Sequence, residues 1–261
     1  MDFGLRAQDS GLRTTDSELK TKHYAPRTKN YKPMNTAAPH KLRCIVFDMD
    51  GTLTQTNQLI YDSFNHVAEK YINKRLTPKE IVAYFGPPEQ EAVENMIGTR
   101  HIDEAMKEYY HFYQERHNDL ASLYPGIKEL LDFVRGHGIL IGLFTGKGRR
   151  TTEISLHEFG IERYFDIVMT GDDVDHFKPS GDGIRKIMAQ FSLQPDEVLM
   201  VGDAVADVKA SRECGVRIAA VVWDSYSKET VMEAATDYLF HSVQEFHSWL
   251  EQTLHTTMGV S

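Results

Sequence analysis

Cys44-Ile45-Val46-Phe47-Asp48-Met49-Asp50-Gly51-Thr52-Leu53-Thr54 sets an apolar run directly against two carboxylates and a glycine turn. An unbroken apolar run of this kind reads as a strand buried on both faces, the pattern of a parallel sheet covered by helices. Whatever follows Phe47 then emerges at the carboxyl edge of the sheet, where open α/β folds bind their ligands. Asp48 and Asp50 are two positions apart, so extended backbone points them the same way. Neighbouring carboxylates repel unless a cation or a shared proton intervenes. Magnesium, a hard cation that takes a few carboxylates and completes its shell with water and phosphate oxygens, is the natural guest. An isolated Asp-Gly-Thr is more often a plain turn. Beside a buried strand and Asp48 it reads as a site.

Three later segments repeat the geometry. The apolar run of residues 139–144 stops at Thr145-Gly146-Lys147-Gly148, a hydroxyl and flexible amides suited to cradling an anion. Residues 166–170 read as a short strand, followed by Lys178-Pro179, a lysine beside a rigid residue. Residues 197–201 lead into Gly202-Asp203-Ala204-Val205-Ala206-Asp207, whose acids suit a metal ligand and a partner behind it. Asp207 also reads as an anion in the first turn of a helix over residues 205–214, favoured there by the helix dipole. The run Gly146-Lys147-Gly148-Arg149-Arg150 lacks the spacing of a P-loop or dinucleotide fingerprint and reads as a loop and helix start.

With these four edges in order, residues 41–250 resemble the haloacid dehalogenase superfamily. The resemblance implies a Rossmann-like parallel sheet with helices on both faces and an inserted α-helical cap. It implies Asp48 as nucleophile, forming an aspartyl-phosphate, and Asp50 as acid and base. It further implies Mg²⁺ held by Asp48, Asp203 and the backbone carbonyl of Asp50, with Asp207 orienting waters or Lys178 from behind. Phosphate binding falls to Met49, Thr145, Gly146 and Lys178. Thr145 and Lys178 join the two aspartates in the catalytic set, with Lys178 and the metal offsetting repulsion between two anions.

Residues 57–134 carry far more helical pattern than a strand crossover needs. Helix-like spacing covers residues 58–72, 78–84, 88–97 and 102–120, and Leu123-Tyr124-Pro125-Gly126 marks the return. The expected layout is a mobile tail over residues 1–40, a catalytic core from 41–56 and 123–261, and a cap over 57–122. Tyr109, Tyr110, Phe112 and Tyr113 are expected in the cap core, and Gly or Pro hinges near residues 54–57 and 122–126. Superfamily members with a cap here close it over small substrates, which favours a small phosphorylated metabolite.

Dehalogenases replace the second aspartate, so Asp50 favours phosphoryl transfer. Mutases resembling β-phosphoglucomutase carry histidine four residues after a hinge threonine, where Thr56 is followed by Ile60. Thr56-Asn57-Gln58-Leu59-Ile60, Phe85-Gly86-Pro87-Pro88 and Asp172-Asp173-Val174-Asp175-His176 resemble the bacterial pyrophosphatase and phosphoglycolate phosphatase branch. Ala204 and Ser180-Gly181-Asp182-Gly183 depart from that branch without removing a catalytic group. A Mg²⁺-dependent phosphatase is the expectation, with a phosphomutase or a non-catalytic binding protein as the alternatives.

Composition fits an ordinary enzyme. The 261 residues suffice for a full core, and no run of eighteen apolar residues suggests a membrane span. A net charge of −9 argues against nucleic acid as partner. Residues 1–40 hold seven Lys/Arg against four Asp/Glu, so the acidity lies in the remainder. Two cysteines without metal spacing and no signal peptide suggest a reducing cytoplasm, and the twelve histidines form no ligand pattern.

Overall fold

The computed structural model describes residues 42–223 and 228–258. The expected tail over residues 1–40 lies outside them. The opening apolar run forms β1 (Cys44–Phe47), and a short β2 (Thr54–Gln55) leads into four helices. These are α1 (Asn57–Ile72), α2 (Pro78–Val82), α3 (Glu89–Ile97) and α4 (Ile102–Leu120). The chain returns through β3 (Ser122–Leu123) and alternates α5 (Ile127–Gly136), β4 (Leu140–Phe144), α6 (Arg149–Phe159), β5 (Ile167–Met169) and α7 (Asp182–Phe191). It continues through β6 (Val198–Gly202), α8 (Val205–Glu213), β7 (Arg217–Val221), α9 (Lys228–Glu233), β8 (Tyr238–Phe240) and α10 (Val243–Met258).

Six strands form one sheet in the order β5-β4-β1-β6-β7-β8 with every neighbour parallel. β1 is central because its side chains are apolar on both faces. Ile45 and Phe47 pack with α5, α6 and α10 on one side, and Cys44 and Val46 pack with α7 and α8 on the other. Chain order runs from β1 outward through β4 and β5, then jumps back to β6. The crevice at the carboxyl ends of β1 and β6 is therefore the topological switch point where such sheets bind ligands.

Helices α1 to α4 enclose a separate apolar cluster around Leu59, Phe64, Ile81, Val93, Tyr109 and Tyr113, closed below by Ile154 of α6. Tyr110 packs partly buried against it, while the half-buried Phe112 stacks on His66. This is the helical cap of the expected fold class. Helix α2 begins with a capping box, in which Thr77 Oγ1 accepts from Glu80 N and Glu80 accepts from Thr77 N.

At the joints expected to be Gly or Pro hinges, Thr54 and Gln55 pair antiparallel with Leu123 and Ser122. Chain entry and exit are thus tied side by side by backbone hydrogen bonds. Gly126, at φ 90°, turns the exit into α5.

Candidate active site

The loop after β1 is built around its backbone. Thr52, Leu53 and Thr54 all donate amides to the carbonyl of Met49, folding the chain back under Asp50. Gly51 makes this possible, since its φ of +82° suits glycine and a Cβ there would lie 2.4 Å from Asp203 Oδ2. Met49 itself is fully buried with its side chain in the core. Any contact of Met49 with a ligand therefore falls to its main chain.

Asp48 follows β1 at 8% exposure, and Lys178 Nζ donates to its Oδ1 at 2.6 Å and to Asp207 Oδ1 at 2.7 Å. Asp207 also accepts from Ala204 N at 3.0 Å through Oδ2. The one carboxylate thus contacts both the first turn of α8 and Lys178. Asp203 sits after β6 and accepts from Thr52 Oγ1 at 3.2 Å. Gly202 lets Asp207 approach, because a Cβ there would lie 2.4 Å from its Cγ.

Carboxylate oxygens of Asp48, Asp203 and Asp207 lie within 4.8 Å of one another, all buried. Burial, reinforced by Asp207 and Asp50 and opposed by Lys178, pushes Asp48 up to about 7. Burial and the Asp48 and Asp207 charges hold Asp203 well above the usual carboxylate range. Burial disfavours the Lys178 charge, yet Asp207 and Asp48 outweigh it and raise its pKa. One ammonium among three buried carboxylates leaves a surplus of negative charge held by hard oxygen donors, and such a set fits a divalent cation.

Asp50 faces away from this cluster. Its Oδ1 accepts from Thr56 Oγ1 and, at 3.5 Å, from Thr54 Oγ1, while Lys147 Nζ lies 3.4 Å from its Oδ2. Thr145 and Gly146 follow β4 on the rim of the same cavity, and Thr145 Oγ1 accepts from Lys147 N at 3.2 Å. The cavity measures about 180 Å³. Asp48, Asp203 and Lys178 line its floor, and Asn57, Ile60, Phe64, Phe85, Gly86 and Pro87 supply the cap side.

Two residues that the sequence reading passed over also line it. Lys147, read as part of a loop, is 7% exposed, and its Nζ lies 4.7 Å from the centre of the Tyr113 ring. Glu89, at the start of α3, accepts from Gly148 N and from Thr151 Oγ1, each at 2.5 Å, at the N-terminus of α6. The available signal was a lysine between two glycines at a strand end. Its burial depends on a cap supplied by distant sequence.

A sequence model describing haloacid dehalogenase-like hydrolases matches residues 45–221. The chain belongs to this family. Pyrophosphatase PpaX of Bacillus velezensis is 32% identical over 205 residues, covering 78% of this chain and 94% of that protein. Pyrophosphatase PpaX of Anoxybacillus flavithermus is 31% identical over 212 residues, covering 81% and 98%. Among solved structures, a predicted phosphoglycolate phosphatase from Haemophilus somnus shares the fold with a TM-score of 0.68 at 21% identity, covering 81% of this chain and 98% of that one. CbbY from Rhodobacter sphaeroides, solved in complex with phosphate, aligns with a TM-score of 0.68 at 20% identity, covering 77% and 94%. No described helix of this hydrolase is long and apolar enough to cross a membrane.

Proposed function

We propose that the protein is a Mg²⁺-dependent phosphatase that hydrolyses a small phosphorylated substrate, pyrophosphate or a phosphoglycolate-like ester, through an aspartyl-phosphate on Asp48. The observation that carries this reading is the pairing of a buried Asp48, fixed by Lys178, with an Asp50 held on both oxygens at the cavity wall. In this reading residues 57–122 form the substrate-facing cap, and the likeness to pyrophosphatases supports the substrate class.

Asp48 attacks phosphorus with the oxygen that Lys178 does not hold, and the bond from phosphorus to the leaving oxygen breaks. Asp50 gives its proton to that oxygen. Asp50 then takes a proton from the water that attacks the aspartyl-phosphate, which releases orthophosphate and restores Asp48. Lys178 keeps its charge throughout and draws the phosphoryl oxygens toward Asp48, while Thr145 and the Gly146 amide hold the same oxygens. Asp48, Asp203 and the Asp50 carbonyl would hold Mg²⁺, with Asp207 behind them; bound there, the ion supplies positive charge between two anions. Ile60 at the cavity wall, where a mutase would need histidine, favours transfer to water.

The test is phosphate release with Mg²⁺ over pyrophosphate, phosphoglycolate, sugar phosphates and nucleotides. Turnover of one of the first two, lost in Asp48→Asn, is expected; full turnover by Asp48→Asn refutes the mechanism.

A further inference from the structure

Lys147 lies beside Asp50 at the cavity wall, but the mechanism above gives it no contact with the substrate. Its ammonium is buried on the cavity wall beside Tyr113, whose ring centre lies 4.7 Å away, and among the described residues it makes no hydrogen bond of ordinary geometry. The nearest anions, Asp50 Oδ2 at 3.4 Å and Glu89 Oε1 at 3.7 Å, are long contacts. Both acids are engaged elsewhere: Asp50 Oδ1 by Thr56, and Glu89 by Gly148 N and Thr151 Oγ1. Lys178, by contrast, donates short bonds to two carboxylates. Burial pulls the Lys147 pKa down, but Asp50, Tyr113 and Glu89 raise it further, so the side chain is charged at neutral pH. A buried ammonium with donors to spare is costly unless something completes its shell.

The place of this ammonium identifies what completes it. Asp50 is the group that meets the leaving oxygen, and Lys147 stands beside it on the cap side, away from Asp48 and Lys178. With Asp50 on the leaving oxygen, an anionic group one or two atoms further on would lie on the side of the cavity that Lys147 lines. A sugar phosphate offers a neutral hydroxyl there. A phosphoanhydride offers a second phosphoryl group, and a phosphorylated hydroxy acid offers a carboxylate.

We infer that Lys147 forms the subsite for a second anionic group on the leaving side of the substrate, and so selects doubly anionic phosphates over simple phosphate esters. This rests on the phosphatase reading above. It is a specificity contact made by the core rather than by the cap, and Glu89 holds the α6 N-terminus beside it.

The experiment is calorimetric titration, in Mg²⁺, of Asp48→Asn protein with pyrophosphate and with orthophosphate, each with Lys147 retained and with Lys147→Met. Pyrophosphate affinity is expected to fall about 10- to 100-fold, the range of a charge-assisted hydrogen bond, and orthophosphate affinity by less than about threefold. Equal losses for both anions, or no loss for pyrophosphate, overturn the inference. Because methionine beside Asp50 and Glu89 can compromise folding, a second comparison keeps Lys147 and varies the ligand. Phosphoglycolate is expected to bind the Asp48→Asn protein about tenfold or more tighter than ethyl phosphate, which lacks the carboxylate; equal affinities overturn the subsite. Failure of the phosphatase mechanism itself appears separately, as turnover surviving in Asp48→Asn, and leaves both affinity ratios readable.

Discussion

Replacing Asp203 by asparagine is expected to make the metal-free protein more stable while abolishing its response to Mg²⁺. Asp203 is 2% exposed, and burial together with Asp48 and Asp207 raises its pKa. A carboxyl whose folded pKa lies above its unfolded value contributes stability below the unfolded pKa and loses it as pH rises. At pH 7 the ceiling on that loss is the cost of keeping a proton that the unfolded chain has released, about three pH units or about 4 kcal/mol. The amide keeps the Thr52 hydrogen bond but must seat its own NH₂ group. About 1–3 kcal/mol of gain is therefore expected, or about 2–12 °C in Tm for a chain of this size. At pH 4 the gain should shrink to a few tenths of a kcal/mol, because about half of the unfolded carboxyls are then protonated too. The assay is thermal or urea unfolding in EDTA at pH 4 to 7, repeated with Mg²⁺. Saturating metal at about 100 times its Kd should stabilise the parent by about 2.7 kcal/mol and the variant far less. A variant less stable than the parent in EDTA at pH 7, or one with the parent's full Mg²⁺ response, would refute the account of a charge-strained carboxylate cluster.

Two further substitutions probe the scaffold around the site. Gly202→Ala places a methyl 2.4 Å from Asp207 Cγ, so Asp207 and with it Lys178 must move; about 1–3 kcal/mol of destabilisation is expected from overpacking, with a fall in kcat, and an unimpaired enzyme would contradict the contact. Glu89→Ala strips acceptors from Gly148 N and Thr151 Oγ1 at the buried start of α6; urea unfolding should register a loss of about 1–3 kcal/mol, and a change under about 0.5 kcal/mol would mean that this bridge does not bind cap to core.

The four strand ends were legible because each is a local event, an apolar run broken by a polar side chain. Asp48, Lys178, Asp203 and Asp207 converge since a parallel sheet brings all its carboxyl edges to one side. The α4 bounds, residues 102–120, follow from apolar spacing alone. What escaped depends on contacts between distant segments. A lysine in Gly146-Lys147-Gly148 carries no mark of burial until Tyr113 and Glu89 cover it. The β2 and β3 strands are two residues each, too short for alternation to register, so the pairing of the two cap joints went unread. Met49 lies between Asp48 and Asp50, and alternation places its side chain in the core with those of Ile45 and Phe47.

The ribbon of Thr54–Gln55 against Ser122–Leu123 has a bearing on when the chemistry can run. Thr54 and Thr56, which grip one oxygen of Asp50, stand on the strap that carries the chain into the cap, and Lys147 beside the other oxygen is roofed by Tyr113 of α4. A swing of the cap about that ribbon would loosen the grip on Asp50 and let solvent onto the lysine in a single movement. The ribbon thus ties the setting of the Asp50 carboxylate, and the cover over Lys147, to the segment that joins cap and core.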